Sequence, residues 1–148
     1  MNKNHILGII LARKGSKRIK NKNLKKIHGK SLTEITINFA KSLRFLTNIV
    51  LSTDDKKILN LAKKNKILSP GLRPKKLSQD TSSSEQATFH ILKWYEKNYR
   101  KVDGILLLQP TSPFRDILSF KKANQIFSKK KNTVIGVTKI YKNPKNFF

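Results

Sequence analysis

Apolar residues recur along this chain in runs of strand length, separated by longer stretches with helical spacing. Residues 6–12, ILGIILA, are continuously apolar and predict a buried first strand. Ser31 and Glu34 stand at capping-box spacing. They predict a helix that carries Ile35, Phe39 and Leu43 on one face and ends near Arg44. Residues 48–53, NIVLST, read as the second strand. The acidic pair Asp54 and Asp55 suits the positive N-terminus of a helix reaching about Lys64, with capping preferred over metal ligation for Asp54.

The stretch 66–85, KILSPGLRPKKLSQDTSSSE, holds a short strand at most and then a loop rich in Pro, Gly and Ser. Glu85–Tyr99 has helical spacing, with Ser84 as its expected cap, Ala87, Ile91, Leu92 and Tyr95 toward the core, and Phe89 and Trp94 as packing residues. Residues 104–109, GILLLQ, are apolar enough to predict a central strand covered on both faces. Two prolines in QPTSPFR then stop the ladder and lead into a helix over 117–129, and NTVIGVT, 132–138, reads as a last strand. Strands alternating with helices predict an α/β fold, a three-layer arrangement around a mostly parallel sheet. Without internal repeat or linker, residues 1–148 read as a single domain.

Charge alters this picture more than length does. The chain carries 33 Lys and Arg against 8 Asp and Glu, a formal net charge of +25, which first suggests a basic nucleic-acid-binding module. Yet 27 of the 33 cations are lysine, spread along the chain, and aromatics do not alternate with them as in a base-stacking surface. Composition therefore argues for anions in general, and a basic nucleic-acid-binding module stays as the alternative from another class. No cysteine is present, which excludes disulfides and thiolate metal sites among these residues. The apolar run near the N-terminus is about eight residues long against the roughly 20 that a membrane helix needs. A cytoplasmic protein without a membrane partner is the expectation.

Three unusual loops follow predicted strands, where open parallel sheets bind ligands. The first, LARKGSKRIKNKN at 11–23, packs six cations directly after a buried strand. Backbone N–H groups near Gly15 and Ser16, together with Arg13, Lys17 and Lys22, would suit a polyphosphate. The sequence Gly29-Lys30-Ser31 mimics the end of a phosphate-binding P-loop, but Leu24 occupies the place of its first glycine, and no G-x-G-x-x-G follows the first strand. The other two loops are 73–84 and QPTSP at 109–113.

Four blocks in order, LARKGSKRIKNKNLKKIHGKSL, IVLSTDD, LRPKKLSQDTSSS and LLLQPTSPFR, together resemble the N-acylneuraminate cytidylyltransferases, the CMP-sialic acid synthetases. The pseudaminic and legionaminic acid cytidylyltransferases share the pattern. The resemblance implies a nucleotide-diphospho-sugar transferase (Rossmann-like) fold. It also implies transfer of CMP from CTP to a nonulosonic acid with release of pyrophosphate, with Mg²⁺ as cofactor. By the same resemblance, Arg13 and Lys22 are the catalytic cations on the triphosphate. Ala12, Ser16, Asn23, Arg73, Ser82 and Ser84 surround the nucleotide, and Gln109 faces the sugar. The plain alternatives are Ser84 as helix cap, Gln109 as a strand-end hydrogen bond and Arg73 as surface charge.

The family pattern continues past Phe148 with the magnesium ligands and a dimerisation arm. The chain is therefore expected to lack its C-terminal part, and the homodimer of the family is not expected of it. Asp54, Asp55, Asp80, Asp103 and Asp116 do not occupy the family's metal position, so no metal ligand is assigned. A catalytically inactive CTP-binding remnant is the alternative on this reading.

Overall fold

The computed structural model describes residues 4–15 and 19–137. Its centre is β1 (Ile6–Leu11), paired in parallel with β4 (Leu46–Ser52) on one side and β5 (Gly104–Leu108) on the other. Side chains alternate across β1. Leu7 and Ile9 join Val50, Ile91 and Tyr95 in one core cluster beneath α3 (Ser84–Asn98). Ile6 and Ile10 are buried on the opposite face, where α1 (Leu32–Ser42) packs on β1 and β4. The result is the expected three-layer α/β fold with a parallel sheet. Beyond β4, isolated parallel bridges pair Val50 with Leu68 and Thr53 with Leu72, so the stretch after α2 (Lys56–Lys64) contributes strand-like contacts without becoming a full strand.

The capping box of α1 forms as its spacing predicts: the Ser31 hydroxyl accepts from the Glu34 N–H, and the Glu34 carboxylate accepts from the Ser31 N–H at 2.8 Å. Of the expected Ile35-Phe39-Leu43 stripe only Leu43 is buried. Thr33, Thr36, Ile37 and Ala40 face inward, whereas Ile35 and Phe39 are half-buried. Hydrophobic patterning passes over threonine, but here each inward hydroxyl has a carbonyl to donate to, Thr36 to Leu32 and Thr33 to Asn23, which removes the penalty of burial.

Four other expectations need correction. The cap of α3 is Ser83, not Ser84: the Ser83 hydroxyl accepts from the Gln86 N–H, and Gln86 returns the bond. Gln86 completes the box, and only a cap at Ser83 puts it three residues on. β5 lies at an edge of the sheet rather than its centre, with Ile105 and Leu107 each 39% exposed, because among the described residues it pairs with β1 alone. Residues 132–137 form no strand, and Thr138 lies outside the described residues. Of the two aromatics expected to pack, Trp94 lies against the core cluster, whereas Phe89 is 55% exposed under the Lys93 ammonium.

β2 (Lys26–Ile27) and β3 (Lys30–Ser31) make a short antiparallel hairpin. Its turn residues His28 and Gly29 both have positive φ, 46° and 79°, as a tight two-residue hairpin turn demands. At the N-terminal end of the sheet, His5 Nε2 lies 3.0 Å from the Tyr95 hydroxyl, which also accepts from Asn48 Nδ2, and the Asp103 carboxylate accepts from the His5 N–H.

The chain divides into two compact units, residues 1–117 and 118–148. α4 (Ile117–Lys130), whose residues after Ile117 belong to the second, ends where Lys131 turns to a φ of 55°. No helix among the described residues is long and apolar enough to cross a membrane.

Candidate functional site

The C-terminal ends of β1, β4 and β5 open onto a cavity of about 450 Å³. Its lining includes Arg13, Lys22, Asn23, Arg73, Ser82, Ser84 and Gln109. Residues up to 96 positions apart in sequence are thus brought to one concave surface because three parallel strands all end on that side.

As β1 ends, the Ala12 N–H donates to the Ser52 carbonyl at 3.0 Å, and the Ala12 carbonyl accepts from the Thr53 hydroxyl at 2.6 Å. Ala12 is fully buried and sits outside the cavity lining, so its part is to anchor the loop. Asp54 secures the next step by accepting from the Lys14 N–H at 2.7 Å. Asp55, not Asp54, caps α2, accepting from the Lys57 N–H. Ser16 and Lys17 lie outside the described residues.

The chain re-enters through Asn21, at a φ of 53°, and a short 3-10 turn, Lys22–Leu24, which turns Lys22 and Asn23 toward the cavity. Asn23 is buried. Its Nδ2 donates to the Arg13 carbonyl at 2.8 Å, which leaves Oδ1 as a buried acceptor without a protein partner. A buried amide oxygen in that state costs about 1–3 kcal/mol unless something else donates to it.

Arg73 is only 7% exposed. Its Nε donates to the Ser52 hydroxyl and a terminal nitrogen to the Ser52 carbonyl, both at 2.8 Å, so the guanidinium is oriented from behind by β4. Burial pulls its pKa below the ordinary arginine value. Asp54 acts in the opposite sense and Arg13 adds to the depression. An arginine nonetheless stays protonated, and the surface-charge alternative for Arg73 does not hold.

Arg13 faces the cavity half-exposed. It donates to the Gln79 carbonyl at 3.2 Å and pairs with the Asp80 carboxylate at 2.9 Å. Ser82 donates to the Lys76 carbonyl, and Ser84 stands in the first turn of α3 behind the Ser83 cap. Gln109 follows β5, and its carbonyl closes a turn by accepting from the Ser112 N–H at 3.1 Å.

Among the described residues, three cations, Arg13, Lys22 and Arg73, and one carboxylate line this cavity, alongside hydroxyl and amide groups. The arrangement suits an anionic ligand that also carries hydrogen-bonding groups. Two participants escaped sequence reasoning. Asp80 sat in a recognisable block, but its pairing with Arg13 spans 67 positions; Arg115, which donates to the Gln109 carbonyl, closes the QPTSPFR block without a role suggested by its spacing. Among the described residues no group of three or more histidine, aspartate or glutamate side chains is placed to hold a metal ion.

Residues 7–147 match the model of a family described as cytidylyltransferase. The chain is 36% identical over 139 residues to the CMP-N,N'-diacetyllegionaminic acid synthase of Legionella pneumophila, covering 94% of this chain and 60% of that protein. It is 35% identical over 121 residues to the pseudaminic acid cytidylyltransferase of Campylobacter jejuni, covering 82% of this chain and 52% of the relative. With the N-acylneuraminate cytidylyltransferase of Escherichia coli it shares 33% identity over 140 residues, 90% of this chain and 31% of that one. The chain thus spans from 31% to 60% of the length of these relatives. Among solved structures, CMP:2-keto-3-deoxy-manno-octonic acid synthetase complexed with CTP aligns with a TM-score of 0.70 at 18% identity, covering 86% of this chain and 48% of its own. That likeness establishes the shared fold.

Proposed function

The chain belongs to the cytidylyltransferase family, and on that premise we propose that it binds CTP and forms the nucleotide-binding portion of an enzyme that transfers CMP to a nonulosonic acid, releasing pyrophosphate. The observation that carries this reading is the convergence of Arg13, Lys22, Asn23, Arg73, Ser82, Ser84 and Gln109 on one cavity at the strand ends. The names of the relatives, which speak of legionaminic, pseudaminic and N-acylneuraminic acids, support an acidic nine-carbon sugar as acceptor.

In the proposed reaction the anomeric hydroxyl of the sugar attacks the α-phosphorus of CTP and gives its proton to solvent, the bond to the bridging oxygen breaks, and pyrophosphate leaves with the electron pair. Arg13 and Lys22 would neutralise charge that builds on the leaving phosphates, an effect that acts through position and electrostatics rather than covalent chemistry. Arg73 and the serines at 82 and 84 would take the cytosine and ribose, and Gln109 the sugar. The unpartnered Asn23 Oδ1 would accept from the nucleotide. Magnesium enters the proposal only as a partner of the nucleotide; the carboxylates described offer it no ligand cluster, and no residue is assigned to it. A CTP-consuming reaction would suit the cytoplasm, and that location is part of the proposal.

The test is calorimetric titration with CTP, ATP and GTP in the presence of Mg²⁺, followed by pyrophosphate release on addition of each acid. CTP is expected to bind in preference to the purine nucleotides. Arg13→Ala and Lys22→Ala should each weaken it about ten- to hundredfold, the worth of a charge-assisted hydrogen bond. Equal binding of all three nucleotides would remove the reading. Selective CTP binding without pyrophosphate release would reduce it to the inactive remnant.

A further inference from the structure

Gln109 stands just past β5, which among the described residues pairs with β1 alone, and its carbonyl takes one backbone bond, from the Ser112 N–H. The turn it opens contains Pro110 and Pro113, which have no N–H to donate, so backbone bonding alone cannot lock it. What fixes it instead is Arg115. One terminal nitrogen of the guanidinium donates to the Gln109 carbonyl, and the other donates to the Thr36 hydroxyl at 3.3 Å. The guanidinium carbon lies over the Phe39 ring, 5.5 Å from its centroid. Thr36 can accept this bond because its own hydrogen already goes to the Leu32 carbonyl, leaving lone pairs free.

The same inward face of α1 serves the other side of the cavity. Thr33 lies one position short of a full turn before Thr36, and its hydroxyl donates to the Asn23 carbonyl at 2.9 Å. One helix face therefore carries two separate tethers, one to the nucleotide-side turn at Asn23 and one, through Arg115, to the turn at Gln109. Arg115 itself is absent from the cavity lining.

We propose that Arg115 is a positioning residue for the acceptor side of the cavity, holding the Gln109 turn to α1 so that the Gln109 side chain is presented to the sugar while the nucleotide side is held independently. The proposal rests on the reading of Gln109 as the sugar-facing residue. Burial lowers the Arg115 pKa, in keeping with a guanidinium committed to protein partners. Lysine cannot replace it fully, since one ammonium does not span a carbonyl, a hydroxyl and a ring in the way a planar fork does.

The experiment compares the full chain with Arg115→Ala and Arg115→Lys in three measurements. Amide hydrogen exchange by NMR should quicken about tenfold or more at Ser112 in Arg115→Ala, with Leu24 and Lys25 in the 3-10 turn unchanged and Arg115→Lys intermediate. CTP affinity should stay within about twofold of wild type. In pyrophosphate release with N-acetylneuraminic, N,N'-diacetyllegionaminic and pseudaminic acids, the KM of whichever acid turns over should rise about tenfold in Arg115→Ala, and less in Arg115→Lys. Unchanged Ser112 exchange overturns the proposal, as does a CTP affinity that falls in step with acceptor KM. Turnover of none of the acids by wild type overturns the transfer reading instead, and Ser112 exchange then decides the tether by itself.

Discussion

Replacing Asp80 by asparagine tests how the cavity handles its own charge before a ligand arrives. Asp80 Oδ1 lies 2.9 Å from an Arg13 terminal nitrogen, so a carboxylate already occupies the fork that a phosphate would need. The two side chains are 36% and 45% exposed, which makes this a solvent-screened pair. Pairs of that kind contribute between roughly 0.2 and 1 kcal/mol. A triphosphate must displace the carboxylate and also sits near a negative charge. Removing the charge while keeping the shape should therefore tighten CTP binding about two- to fivefold, the equivalent of at most about 1 kcal/mol. Calorimetry at low and high salt provides the assay. The ratio of the two affinities should shrink toward unity as salt rises, because the Debye length falls from about 10 Å at 0.1 M to about 3 Å at 1 M. Weaker CTP binding by Asp80→Asn at low salt would refute the reasoning and make Asp80 an organiser of the 75–83 loop rather than a competitor for Arg13.

Two further outcomes concern stability. His5 is buried beside Tyr95, and its pKa is lowered from 6.5 by loss of solvent and then by Arg100, with Asp103 acting to raise it. The unfolded chain thus binds a proton at higher pH than the folded one does. Stability is full above about pH 6.5 and declines as pH falls through the folded-state value, by at most about 1.4 kcal/mol per pH unit. Urea melts from pH 7.5 to 5 should show that slope in wild type and a flatter one in His5→Gln. Ser83→Ala should cost about 1 kcal/mol and lower Tm by a few degrees in a thermal melt, whereas Ser84→Ala should leave Tm unchanged and weaken CTP binding. The reverse pattern would return the cap to Ser84.

Where one kind of signal dominates, the sequence was readable. β1 and β4 are short apolar runs that had to be buried, and the Ser31-Glu34 box marks its helix with two side chains and fixed spacing. The basic loop, the serine loop and QPTSP could be assigned to one edge because parallel strands send their ends the same way. What resisted reading depended on partners distant in sequence. The apolar run of β5 is the same whether one neighbour strand or two lie beside it, so its place at the edge could not be inferred from pattern. Thr33 and Thr36 face inward because particular carbonyls await them, and Arg115 acts through a residue 79 positions away. Ala12 belongs to the motif that points to the nucleotide, but its peptide groups bond to Ser52 and Thr53.

The order in which β1 finds its neighbours has a consequence for synthesis of the chain. Ile6 pairs with Leu46 and then, on the other side, with Gly104, so the central strand waits for roughly 60 residues of translation after its first partner has emerged before its second does. At about 5–20 residues per second that is several seconds with one hydrogen-bonding edge of an Ile- and Leu-rich strand exposed. Parallel pairing at such separations is slow to nucleate, and an open apolar edge is a template for the wrong strand. The cations that follow Leu11 at once, beginning with Arg13 and Lys14, place like charge beside that edge in every nascent copy, which sets copies against pairing with each other while the fold is incomplete.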